Sequence, residues 1–319
     1  MSNQKKFIVS HAPFWHSGSG IPERSYNIMI AALPAVLVGI AYFGIPALGV
    51  ICLSISSAIG WELLMNRATR RPFLVGDGHS AMIGMIFGML LPATAPWWLV
   101  IIGTFLAIII GKEIFGGIGS NPFNPAVLSC AILMVSWQVR MDFDTALANM
   151  DLPFAGIFPL TAIKNFGSAA VADFNLVDLF LGRQIGGIGT TSGLALIIGG
   201  IYLMFRGFIR WEIVISFLAS IIVFATLFKI LDPTNFVSPW IHLLSGYTLF
   251  GAIFLATEDS SSPVNFIPMM IYGALGGLMT ILIRNIGTDV DGVIFAVLLA
   301  NICNPLVDKI RPTAIGKAV

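Results

Sequence analysis

Ten apolar stretches, at roughly 27–43, 46–65, 79–92, 95–111, 123–138, 191–206, 212–230, 243–256, 266–284 and 291–306, constrain this chain more than any other feature. Each is a candidate for crossing about 30 Å of hydrocarbon, where a segment must satisfy its own backbone polar groups. The third and eighth are short for a full span. Both begin in polar sequence and carry Gly and Ser, which predicts broken or tilted helices that line a protein-filled interior. Of 319 residues, 57% are hydrophobic and 10% charged, whereas an ordinary soluble domain is about one quarter charged. A greasy soluble α/β protein would not need segments of this length. The expected class is an all-α integral membrane protein.

Charge and cysteine usage exclude several functions. A net charge of +1 without a basic tract argues against nucleic-acid binding. Cys52, Cys130 and Cys303 lie far apart in apolar runs, and His11, His16, His79 and His242 are equally scattered. No Cys or His spacing fits a metal site, so no metal ligands are assigned. No dinucleotide-binding fingerprint follows a strand, and no catalytic residues are assigned. The first 26 residues are polar and lack the apolar core of a cleaved signal.

The distribution of Lys and Arg orients the spans. With the N-terminus in the cytoplasm, Lys5, Lys6, Arg24, Arg67, Arg70, Arg71, Lys112, Arg206, Arg210, Lys309, Arg311 and Lys317 fall inside. Arg140, Lys164, Arg183, Lys229 and Arg284 fall outside, so 12 of the 17 cations are internal. Both termini are then cytoplasmic. The expected division is a cytoplasmic segment 1–26, a first bundle 27–138, an extracytoplasmic loop or cap 139–190, a second bundle 191–306 and a cytoplasmic tail 307–319. The 139–190 connection is too long for a simple loop, and apolar pieces such as "LPFAGIFPLTAI" argue for a folded cap.

The halves echo each other. "DGHSAMIGMIFGMLLPATAP" (77–96) aligns with "HLLSGYTLFGAIFLATEDSS" (242–261), and "NPFNPAVLSCAIL" (121–133) can be set beside "DGVIFAVLLANICNPLV" (291–307). Five spans per half is an odd number, so the second half enters from the opposite side. The fold expected is ten transmembrane helices as two inverted five-helix repeats. Such repeats set broken helices near the midplane, where free backbone groups meet a substrate, ion or cofactor.

The segment "GKEIFGGIGSNPFNPAVLSC" (111–130) reads as one of these re-entries. Gly116, Gly117 and Gly119 permit tight turns, Asn121 and Asn124 can cap a helix, and Pro122 and Pro125 suit its first turn. Gly119, Asn121 and Asn124 are candidate cofactor contacts; a plain inter-helix turn is the alternative. Lys112 and Glu113 beside it read as a snorkelling or interface pair, or as an anion contact. Asp77, Glu258 and Asp259 at the inner face, and Asp289 and Asp291 at the outer, are candidates for an ion path, or else solvated helix ends. Glu62 lies inside a span one turn from its end, and a salt bridge to Arg67 or Arg70 is its expected role. His79 and His242 occupy near-equivalent repeat positions and read as structural.

"GKEIFGGIGSNPFNPA" resembles the signature of the NqrB/RnfD membrane family. "DGHSAMIGMIFGMLLPATAPWWLVIIGTFLAIIIGKEIFGG", "IHLLSGYTLFGAIFLATED" and "IRNIGTDVDGVIFAVLLANICNPLVD" resemble further helices of that family in the right order, from about residue 10 to 312. The resemblance implies a flavin near the outer face, FMN or riboflavin, in the bacterial or archaeal cytoplasmic (inner) membrane. It also implies work among the A, B, C, E and G subunits of an Rnf-like complex that passes electrons from ferredoxin to NAD and moves Na+ or H+. The family's outer loop usually carries a Thr joined to FMN through the phosphate. Here "MDLPFAGIFPLTAIK" sets Phe158 at that position, which cannot form a phosphoester, and Thr161 is a weak substitute. Any flavin is therefore expected to be non-covalent. "GGIGTTSGLALIIGG" (186–200) resembles a stretch of the same family, so Thr190, Thr191 and Ser192 are further cofactor candidates, with helix capping as the alternative. A channel or transporter of the same fold without redox activity is the competing reading.

Overall fold

The computed structural model describes residues 20–70, 75–154, 156–169 and 174–310. Lys5, Lys6, Arg71, Arg311 and Lys317 of the orientation count, and most of the 1–26 and 307–319 segments, lie outside the described residues. The described residues are helical, with no strand among them.

The helical run Ile21–Ala68 begins ahead of the boundary expected at 27. At 48 residues it would be about 72 Å long if straight, more than twice a bilayer core. It is broken at Gly44, whose φ of 70° and ψ of −154° lie outside the helical region, and Pro46 follows. Trp211–Leu231 and Phe266–Asn285 are also long and apolar enough to cross a membrane. His79–Leu90, Pro125–Ser136, Gly193–Phe205 and Val293–Val307 are shorter apolar helices. Trp97–Phe105 continues into a wider π-helical stretch, Leu106–Glu113.

The outer surface is apolar where a soluble protein would be polar. Phe205 is 89% exposed and Ile45 83%, and Ile30, Leu37, Val223 and Ile230 are exposed as well. Lipid is the solvent for such a surface, and this is a multi-pass membrane protein. In lipid the helices gain little from burying apolar surface, so close backbone approach and hydrogen bonds hold them together. Trp211–Leu231 meets Phe266–Asn285 in this way: a Cβ at Gly277 would stand 2.4 Å from the Phe217 carbonyl oxygen. Ser220 Oγ also donates across that seam to the Ala274 carbonyl at 2.7 Å. Gly193–Phe205 reaches the first helix through Gly199, where a Cβ would be 2.1 Å from the Ala31 carbonyl oxygen.

The 139–190 connection holds short helices, Phe143–Leu147, Pro159–Phe166 and Leu176–Leu181 among them. They pack on the bundle through Phe143, whose ring lies 5.2 Å from that of Phe158 and 5.7 Å from that of Tyr247. Of the two short segments, the eighth is broken: Pro239–Leu244 ends before Gly246 (φ +66°), and Thr248–Phe250 runs into a second π-helical stretch, Gly251–Leu255.

Candidate functional site

Three cavities and two buried ion-pair clusters surround the breaks in these helices. The first cavity, of about 200 Å³, opens where the turn before Pro125–Ser136 meets the end of Gly251–Leu255. Asn124 caps its helix, its Oδ1 accepting from the Ala126 and Val127 amides at 3.0 and 3.3 Å. Its Nδ2 donates to the Leu255 carbonyl at 3.0 Å, tying one half of the chain to the other. Asn121 repeats the pattern, donating to the Phe123 carbonyl at 2.9 Å and to Glu258 Oε1 at 3.2 Å. Glu258 Oε2 accepts from Ser261 N at 3.0 Å and Ser261 Oγ at 2.6 Å. Gly119 (φ +84°) lines the same cavity, as do Asn124, Glu258 and Asp259. Asp259 is paired with Arg24, and Asp77 Oδ1 accepts from the His79 amide at 2.9 Å. The walls are Ile28, Met82, Ile83, Ile86 and Phe254, and His79 adds a buried Nδ1 that has no partner.

Thr190, Thr191 and Ser192 are not part of this cavity's lining. Thr190 Oγ1 donates to the Gly187 carbonyl at 3.2 Å. Gln184 Nε2 donates to the Thr191 carbonyl at 2.9 Å, and Ser192 Oγ accepts from the Ala195 amide at 3.3 Å as a helix cap. The Thr190 and Ser192 hydroxyls and the Thr191 carbonyl thus take part in a packed turn, where a Cβ at Gly187 would be 2.8 Å from the Met89 carbonyl oxygen. The cofactor candidates therefore separate into two places, Gly119 and Asn124 at the cavity and the 190–192 group elsewhere.

The second cavity, of about 340 Å³, lies beside the cap and is lined by Asp142, Asp144, Asp289 and Asp291. Asp289 and Asp291 are thus brought together, but Asp291 is not a solvated helix end. It is buried, Oδ1 paired with Arg284 at 2.7 Å and Oδ2 accepting from the Tyr247 amide at 2.6 Å. Phe158 also lines this cavity, and Thr161 presents an Oγ1 without a partner there. Phe158 is 3% exposed and packed against Phe143.

The ion-pair clusters carry residues that sequence reasoning placed wrongly or left unassigned. Lys112 does not snorkel: it is 1% exposed, ion-paired to Glu62, 3.0 Å from Ser80 Oγ and 3.6 Å from Glu113. Glu62 therefore pairs with Lys112 rather than with Arg67 or Arg70. Burial explains the choice: Glu62 and Asn66, one turn apart, face inward, and Arg67 is exposed. Arg284, counted above only as an outer cation, is buried and donates to the His242 carbonyl at 2.8 Å as well as to Asp291. Its seven-residue spacing to Asp291 across a helix end was the available signal. No group of three or more potential metal ligands exists among the described residues.

Comparison with known proteins follows the same lines. The pattern of the NQR2, RnfD, RnfE family matches residues 8–316. The D subunit of the ion-translocating oxidoreductase complex of Cronobacter sakazakii is 34% identical, over 97% of this chain and 99% of its own length. The D subunit of the Na(+)-translocating ferredoxin:NAD(+) oxidoreductase complex of Acetobacterium woodii is 33% identical, over 96% and 94%. Its counterpart in the ion-translocating oxidoreductase complex of Erwinia tasmaniensis is 32% identical, over 95% and 96%. A whole-chain match and whole-length relatives above 30% identity place the chain in one group: it belongs to the NQR2, RnfD, RnfE family.

Proposed function

We propose that this chain is the membrane subunit of an Rnf-like ferredoxin:NAD oxidoreductase complex, built of ten spans in two inverted repeats and housing a flavin that relays electrons while Na+ or H+ crosses. The names of its relatives support the complex. Two observations support the repeat: Lys112 and Arg284 end the fourth and ninth spans, and each reaches back to the preceding short segment at Ser80 or Ser245.

The observation that carries the flavin is the Asn124 cavity. Its apolar walls suit a flat aromatic ring, and the partnerless His79 Nδ1 offers an edge contact. Glu258 and Asp259 outnumber Arg24, which is paired with Asp259, at the same cavity, so the lining disfavours a phosphate and an uncharged flavin such as riboflavin fits better than FMN there. A bound flavin supplies one- and two-electron chemistry. The chain's residues would hold the ring, exclude water from it and bridge the two halves through Asn121 and Asn124. Phe158 lines the other cavity and offers no hydroxyl for covalent attachment there, and in the Asn124 cavity, at the inner rather than the outer face, the flavin is held by contacts alone. Glu258 and Asp259 at the inner mouth, with Asp289 and Asp291 at the outer cavity, are the proposed ends of an ion path.

Flavin analysis of the purified protein before and after denaturation tests this. The expected result is about one extractable riboflavin per chain, lost on Ile83→Trp, which fills the cavity. Purified protein that carries no flavin, either released or retained on the polypeptide, would overturn the reading in favour of a channel or transporter. Flavin remaining on the denatured polypeptide would overturn the non-covalent assignment.

A further inference from the structure

Two cavities flank the cap helix Pro159–Phe166, and charge is segregated between them. The one described above is lined by four aspartates and by no Lys or Arg. The other, of about 490 Å³, is lined by Lys164, Arg284, His242 and Asn285 and by no Asp or Glu. Asp291 neutralises part of the Arg284 charge, but it opens on the acidic cavity, not on this one.

The basic cavity also holds hydrogen-bonding atoms that have no partner. Arg284 uses its terminal nitrogens on Asp291 and on the His242 and Ser245 carbonyls, which leaves Nε without an acceptor. Asn285 Nδ2 and His242 Nδ1 are likewise buried and unpaired. Arg284 and His242 are 5% and 2% exposed, so bulk water does not satisfy them. Buried donors are rarely left unmet. Lys164 completes the set: its Nζ donates to the Gly287 and Asp289 carbonyls at 2.8 and 2.6 Å, and one of its three N–H groups remains.

We propose that this cavity binds a phosphate group. A phosphate offers several acceptor oxygens to Arg284 Nε, Asn285 Nδ2 and the Lys164 ammonium at once, and charge-assisted bonds of this kind are the strong ones. Trp240, exposed on the neighbouring helix, is of the type enriched where a membrane protein meets lipid headgroups. The phosphate is therefore either free in solution or part of a phospholipid headgroup. The site is separate from the flavin cavity, and its occupancy does not depend on that reading.

The full-length protein in detergent, with Asn285→Asp as the variant, provides the test, because the substitution sets a carboxylate where a donor stands. Thermal unfolding is followed against inorganic phosphate, with chloride at matched ionic strength, and retained phospholipid is read by native mass spectrometry. A saturable rise in Tm with phosphate, its apparent affinity about tenfold weaker or worse in Asn285→Asp, supports a free phosphate. A phospholipid adduct carried by the native protein and lost from Asn285→Asp supports a headgroup. Absence of both, or either one unchanged in a variant that runs as the native protein on gel filtration, overturns the proposal.

Discussion

Lys112 and Arg284 both bury a positive charge beside a short segment, yet they are held in different ways. Side chains hold Lys112: Glu62, Ser80 and Glu113, brought from three parts of the chain. Backbone holds much of Arg284, through the His242 and Ser245 carbonyls at a helix end, with Asp291 as its one carboxylate. An ammonium is a point charge whose donors rotate to meet converging oxygens, and a guanidinium is a planar fork that spans fixed ones. The two sites also differ in what each would leave behind. Without Lys112, no donor to Glu62 is left from that pair. Without Arg284, Asp291 still accepts from the Tyr247 and Val293 amides.

The largest effect follows from that difference. Lys112→Met is expected to destabilise the protein by about 3–5 kcal/mol, the usual consequence of stranding one member of a buried pair. Adding Glu62→Leu removes the stranded charge, and the double variant should recover most of the loss. Unfolding in detergent measures both. A double variant as unstable as the single would mean that Ser80 and Glu113, not Glu62, define the site. A double variant that is stable yet inactive in the assembled complex would move the pair from structure to coupling.

Arg284→Met should cost less, about 3 kcal/mol, because Asp291 keeps two amide donors and the freed carbonyls lie at a helix end. The same unfolding measurement ranks the two. If Arg284→Met proves the more damaging, surviving donors are not what sets the cost, and the carbonyl contacts are worth more than their distances suggest.

What could be read from the sequence divides along the same line. The apolar segments, the turn before Pro125 and the capping role of Asn124 depend on neighbours within four residues, and local rules reach that far. Cross-helix choices were not legible. Glu62 and Lys112 are 50 residues apart, and sequence proximity suggested Arg67 instead. For Thr190, Thr191 and Ser192 the sequence left ligand binding and capping open, because hydroxyls in a glycine-rich turn serve both equally well. Packing sets the Thr190 and Ser192 hydroxyls in a turn against Met89, away from the Asn124 cavity.

The smallest effects come from the left-handed glycines near the starts of the two short segments, and they sharpen the comparison most finely. Gly78 and Gly246 have nearly the same φ, +68° and +66°, so alanine at either meets about 1–2 kcal/mol of backbone strain. Their surroundings differ. A Cβ at Gly78 would lie 3.3 Å from the Tyr26 ring, which can shift. At Gly246 it would lie 2.1 Å from Asp291 Oδ2, the oxygen that takes the Tyr247 amide. Gly246→Ala should therefore cost about 1 kcal/mol more than Gly78→Ala, the worth of one displaced hydrogen bond. That excess should shrink once Asp291→Asn has already weakened the Arg284 contact. Equal costs for the two glycines in the native background would show that the carboxylate moves freely and that Asp291 is not the fixed hub between the eighth and tenth segments that its contacts describe.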